Sequence, residues 1–183
     1  WMCFAIVTGI LYGRFSKPSA LLVYSEKAII SPYKEGLNSL QFRIANKRMS
    51  NLMELQATVI LMQVKRDKTG KSVLKRSFLK LDLERDSILF FPLNWTIAHP
   101  IDKNSPLYGK TRKELMESDA EILIMIRGFD DTFSNVVHSR HSYKYDEIIW
   151  GAKFQPTYET QDDGDIELYF DRLSDYEKTE LNN

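Results

Sequence analysis

Cysteine is almost missing from this 183-residue sequence: Cys3 stands alone, which excludes an intrachain disulfide and suits a reducing compartment. Three histidines and that one thiol are a poor stock for a structural zinc centre, so no metal site is expected. Charge of one sign is not in excess either, because 25 Lys and Arg meet 25 Asp and Glu. Without a global field there is little to hold a nucleic-acid backbone, and nucleic acid drops out as a partner. No G-x-S-x-G, Walker loop, H-E-x-x-H or G-x-G-x-x-G is present, so the sequence supports no catalytic residues, no enzyme and no cofactor.

Long hydrophobic runs are lacking as well. The apolar opening WMCFAIVTGILY covers residues 1–12, whereas a bilayer core takes about 20 helical residues, and no basic leader or small-residue cleavage site marks a signal peptide. The opening reads as the last turns of a longer helix, against the plainer reading of a buried helix or strand. Arg14 and Lys17 then flank Phe15 and Ser16, and Pro18 ends helical geometry. Cations at the foot of an apolar helix suit the headgroup level of a cytoplasmic leaflet, where each contributes about 1 kcal/mol toward anionic lipid. The bland alternative is two ordinary solvated charges.

What the sequence does contain is short strands. ALLVY, AIISPY, LQFRIAN and ELQATVILMQV, between Ala20 and Val64, are strand-like and separated by turn chemistry at Lys34 to Gly36 and a polar stretch from Asn46 to Asn51. In the fourth run Leu55, Ala57, Val59 and Leu61 share one face by the period of two, so Glu54, Gln56 and Thr58 point away from the core. DKTGK at 67–71 is a hairpin-type loop, and Val73 to Leu83 and ILFFPLNWTIAHPID continue the β pattern. One helix is expected, Thr111 to Ser118, with capping-box spacing between Thr111 and Glu114 and apolar contacts from Leu115 and Met116. FQPTYET and DIELYFDRL, around Asp162 to Gly164, read as a closing hairpin, and DYEKTELNN as a polar, fraying tail. Many short strands without internal repeats predict one antiparallel β-sandwich.

The most informative stretch is EILIMIRGFDDTFSNVVHSRHSYKYDEIIWG, Glu121 to Gly151. The apolar run Ile122 to Ile126 suits a strand buried on both faces, and Gly128 reads as the break that ends it. Asp130 and Asp131 lie between Phe129 and Phe133, an acidic and aromatic tip that a purely structural turn does not require. Solvated surface charge and core aromatics at a strand end are the plainer readings of these residues. His138 and His141 are offset by three, which on a strand sends them to opposite faces and prevents a shared metal.

RGFDDTFSNVVHSRHSY with DEIIWG resembles the segment of inward-rectifier potassium channels in which a cytoplasmic loop narrows the ion path. ILYGRFSKP at 10–18, FRIANKRMSNLMEL at 42–55 and HPIDKNSPLYG at 99–109 extend the resemblance over nearly the whole chain. The resemblance implies an all-β, immunoglobulin-like β-sandwich with one short helix at 19–174, preceded by the end of a pore-lining transmembrane helix and its linker at 1–18 and followed by a tail at 175–183. It implies a homotetramer on the cytoplasmic side of the cell membrane, with potassium ions in transit and polyvalent cations as blockers. Gly128, Phe129, Asp130, Asp131, Thr132 and Phe133 fall in the aperture loop, with Gly128 supplying backbone freedom. Glu54 falls where many members carry an acidic residue facing the pore, and Arg14 and Lys17 at matched lipid-contacting positions. A fourfold ring of carboxylates would concentrate cations, and a ring of phenylalanines would narrow and dewet the path.

Two departures stand out. Arg127 occupies a position that is acidic in some members, and Pro18 is followed by Ser19, Ala20 and Leu21 where phosphoinositide-activated members carry a basic run. The second pattern resembles prokaryotic members. The HPIDKNSPLYG segment reads as a rigid loop and helix lead-in, or by resemblance as an assembly contact. No T-x-G-[YF]-G filter motif occurs in these residues. The alternative from another class is a soluble β-sandwich binding or sensor module.

Overall fold

Alternation of apolar and polar residues turns one face of each long strand inward, and two sheets close over those faces. The computed structural model describes residues 22–47, 51–66, 74–92, 94–160 and 166–182. The apolar opening, Arg14, Lys17, Pro18 and the turns expected at 67–71 and 162–164 lie outside the described residues.

In the first sheet β3 (Asn38–Asn46) is central. One edge pairs with β7 (Asn94–Ile101), and the other is shared by β1 (Leu22–Tyr24) and β2 (Ala28–Pro32). Beyond β2 lies β10 (Ile148–Trp150), which runs parallel to it, a departure from the purely antiparallel sandwich that turn spacing suggests. The second sheet repeats the plan around β4 (Leu52–Arg66): β5 (Leu74–Leu81) and β6 (Ser87–Phe90) share one edge, and β8 (Glu121–Asp130) then β9 (Asn135–Lys144) extend the other. Phe42, Ile44, Leu55, Val59, Leu61, Ile122, Ile124 and Tyr143 fill the space between the sheets. This all-β sandwich with one short helix is the expected fold class.

Tyr143 stitches the layers together. Its hydroxyl donates to the Ser25 carbonyl at 2.7 Å, and burial pushes its pKa well above the usual phenol range. His141 also faces inward, stacked on Tyr24 at 4.5 Å, while Tyr24 donates to Ser139 Oγ at 2.9 Å. His138 is paired with Arg127 and points outward, so the two imidazoles do diverge.

The helix, α1 (Arg112–Glu117), forms where the capping box places it: Thr111 Oγ1 accepts from Glu114 N–H, and the Glu114 carboxylate accepts from Thr111 N–H at 2.8 Å. Leu115 is buried in the core, but Met116, expected to contribute an apolar contact, is exposed. Upstream, His99 is buried, its Nδ1–H donating to the Asp82 carbonyl at 2.6 Å while Nε2 accepts from Ser105 Oγ at 2.7 Å. Asp102 Oδ1 accepts the amides of Asn104 and Ser105, which makes this stretch a rigid loop.

The two sheets differ in how their outer faces are finished. The first is covered by the C-terminal segment: β11 (Ala152–Phe154) lies beside β14 (Tyr176–Lys178), and β12 (Tyr158–Thr160) pairs with β13 (Ile166–Leu168). Arg43, buried on β3, reaches into this layer, donating to the Gln155 carbonyl at 2.6 Å and lying 4.5 Å from the Phe154 ring centroid. The polar tail does not fray. Asn182 exchanges hydrogen bonds with Asn38 at 2.9 and 3.0 Å and donates to the Leu37 carbonyl at 2.6 Å. No described element covers the outer face of the second sheet, where Leu123 and Ile60 are half-buried and Met125 is 40% exposed beside Arg140. The run Ile122 to Ile126 is therefore buried on one face, not two.

Candidate functional site

The β8–β9 hairpin and the start of β4 bring most of the expected site residues together. β8 does not break at Gly128 but continues to Asp130, and the last hairpin pair is Asp130 with Asn135. Gly128 sits inside the strand for want of space, not for conformational freedom. A Cβ there would stand 3.1 Å from Leu55 Cγ and 3.5 Å from the Met53 carbonyl.

That crowding follows from a bulge in β4. Met53 faces Phe129 and Gln56 faces Arg127, so two residues, Glu54 and Leu55, stand opposite Gly128 alone. Glu54 takes up the extra length with a left-handed backbone, φ 51°, which costs a residue with a Cβ about 1 kcal/mol. Leu55 is thereby driven into the core, and Glu54 is turned outward as expected. Glu54, Gln56, Arg127, Phe129 and Val136 line a shallow hollow of about 220 Å³ on the outer face. Among the described residues no ion pair engages Glu54, Asp131 or Arg127. Gln56 and Val136 were not expected here; the hairpin register, which sets Val136 opposite Phe129, is the signal that would have found Val136.

The tip itself spans residues 131–134. Ser134 N–H donates to the Asp131 carbonyl at 3.3 Å, and Ser134 adopts φ 47°, as a four-residue hairpin loop requires. The Asp131 amide donates to the Asn51 carbonyl at 3.0 Å, tying the tip to the segment that leads into β4. The two aspartates part company. Asp131 is exposed, as are Thr132 and Phe133, whereas Asp130 is 1% exposed and its Oδ1 accepts the Phe133 amide at 3.3 Å. Asp130 thus belongs to the inward face of β8, and the acidic tip presents one carboxylate where the sequence suggested two.

Residues 22–182 match the model of the inward rectifier potassium channel C-terminal domain. The chain is 38% identical over 160 residues to "Inward rectifier potassium channel Kirbac3.1" of Paramagnetospirillum magnetotacticum, covering 87% of this chain and 53% of that protein. It is 31% identical over 163 residues to the human "G protein-activated inward rectifier potassium channel 1", covering 83% of this chain and 31% of the relative. With the mouse "G protein-activated inward rectifier potassium channel 3" it shares 29% identity over 169 residues, 90% of this chain and 42% of the relative. The chain therefore spans about half the length of the first of these relatives and less of the others, and no described helix is long and apolar enough to cross a membrane. On these matches the chain belongs to the inward rectifier potassium channel family, prokaryotic in type, as a C-terminal domain.

Proposed function

We propose that this chain is the cytoplasmic pore and gating domain of a homotetrameric inward-rectifier potassium channel in the cell membrane. It extends the ion path into the cytoplasm and narrows it at the distal end of the β8–β9 hairpin, where Gly128, Phe129 and Asp130 close β8 and Asp131, Thr132 and Phe133 begin the tip. The observation that carries this reading is the β4 bulge, which turns Glu54 outward beside Gly128 and Phe129 on β8, the strand that runs into the hairpin tip. Exposed Glu54 on β4 and Phe129 near the end of β8 line one hollow, and β8 leads into the loop that exposes Asp131 and Phe133. In a fourfold arrangement each carboxylate becomes a ring that concentrates potassium and attracts polyvalent cations. The uncovered outer face of the second sheet, with Met125, Leu123 and Ile60, supports assembly, since an apolar sheet face of this kind is stabilised by a cover. Arg14 and Lys17 are assigned to anionic lipid headgroups on the strength of their sequence positions.

The test is potassium flux through the complete channel in liposomes, with polyvalent-cation block measured at two ionic strengths. Glu54→Gln and Asp131→Asn should each weaken block, more at low salt than at high. Arg14→Gln with Lys17→Gln should reduce dependence on anionic lipid. A strictly monomeric chain by light scattering at high concentration, together with unchanged block in both acidic variants, would remove the pore reading.

A further inference from the structure

Asp130 and Asp131 are neighbours in sequence but occupy opposite environments. The Asp130 side chain lies on the inward face of β8, between Leu52 and Asn135 in the strand register, and is almost fully buried. Its Oδ1 accepts the amide of Phe133, three residues ahead, as an N-cap carboxylate receives an amide of a first helical turn. The tip it closes has strain to hold. Ser134 sits at φ 47° without being glycine, and beyond Asp130 the tip amides are tied by Asp131 N–H to the Asn51 carbonyl and Ser134 N–H to the Asp131 carbonyl. A carboxylate turned into the sandwich is badly placed to act on ions in water. It is well placed to decide where the next three side chains stand.

We propose that Asp130 is a positioning residue that anchors the aperture tip through the Phe133 amide, and that Asp131 alone of the pair supplies the tip's field. The anchoring stands on the geometry of the hairpin; its consequence for ions rests on the function proposed above.

Asp130→Asn and Asp130→Ala separate the two roles, because Asn keeps an accepting oxygen while removing the charge, and Ala removes both. The first readout is hydrogen exchange of the Phe133 amide in the intact chain. Asp130→Ala should speed it about fivefold, the loss of one ordinary hydrogen bond, while Asp130→Asn and Asp131→Asn should stay within about twofold of the wild type. The second readout is block by spermine in the complete channel at low and high salt. Asp131→Asn should weaken block in a salt-dependent way, and Asp130→Asn should leave both block and its salt dependence in place. If Asp130→Ala fails to fold, the Asn variant still decides. Faster Phe133 exchange in Asp130→Asn, or a salt-dependent loss of block equal to that of Asp131→Asn, would overturn the anchor. If exchange behaves as expected but Asp131→Asn leaves block unchanged, the anchor stands and the ion-path reading fails.

Discussion

Gly128 lies against Leu55 so closely that a methyl group on the glycine would stand 3.1 Å from the leucine Cγ. Leu55 is itself 1% exposed and held by the bulge, so it has little room to retreat. Gly128→Ala should destabilise the domain by about 1–2 kcal/mol, overpacking outweighing the entropy gained by losing a glycine. A urea midpoint equal to that of the wild type would show that the bulge yields.

Gly151 is more constrained. It adopts φ 69°, its carbonyl accepts the Thr179 amide at 3.0 Å, and a Cβ would stand 2.7 Å from the Thr179 carbonyl oxygen. Gly151→Ala should cost about 2–4 kcal/mol and release the β11–β14 ribbon, because both the backbone conformation and the contact are refused to alanine. Limited proteolysis after Phe154 should report the release; an uncut C-terminal segment would contradict it.

Arg43 joins the first sheet to its outer layer through Gln155 and Phe154, with Nε donating to Thr96 Oγ1 at 3.2 Å. Burial lowers its pKa to about 10, so it remains charged at neutral pH. Arg43→Ala should cost about 2–4 kcal/mol, and Arg43→Lys should recover little of it, since an ammonium cannot reproduce the planar fork. Thermal unfolding of both variants would check this: a lysine variant as stable as the wild type would show that charge alone suffices.

Burial holds the pKa of His99 below the ordinary histidine value, and that of His141 likewise. The folded state therefore favours the neutral rings. The stability this contributes is complete above the unfolded value of about 6.5 and is lost as pH falls through the depressed folded values. Denaturation midpoints should fall between pH 7.5 and 5, less steeply in His99→Gln, which removes one of the two titrating rings. An equally steep fall in that variant would exclude His99 from the linkage.

How far the sequence discloses this molecule depends on the range of the forces involved. The capping box at Thr111 and Glu114 and the two-residue alternation in β4 are local, and both are legible. The outward Leu123 and Met125 look like core residues because the sequence records hydrophobicity but not what lies beyond a sheet. Gly128 resembles a breaker because its real cause, Leu55, is more than seventy residues away, and Asp130 differs from Asp131 because it ends β8 on the inward face while Asp131 already belongs to the exposed tip. The tail's polarity concealed its docking, since Asn182 is held by the Asn38 side-chain amide and the Leu37 carbonyl.

The parallel pairing of β2 with β10 has a consequence for biosynthesis. Ala28 and Ile29 are made early, but their partners Ile148 and Ile149 emerge only after about 120 further residues. Asn38 likewise waits for Asn182, 144 residues later. At a ribosomal rate of about 5–20 residues per second, the first sheet spends roughly 6–24 seconds with an open edge. The first sheet can close on this side only after β10 has been translated, and a truncation that spares the aperture hairpin yet removes residues beyond 147 would leave that edge exposed to aggregation.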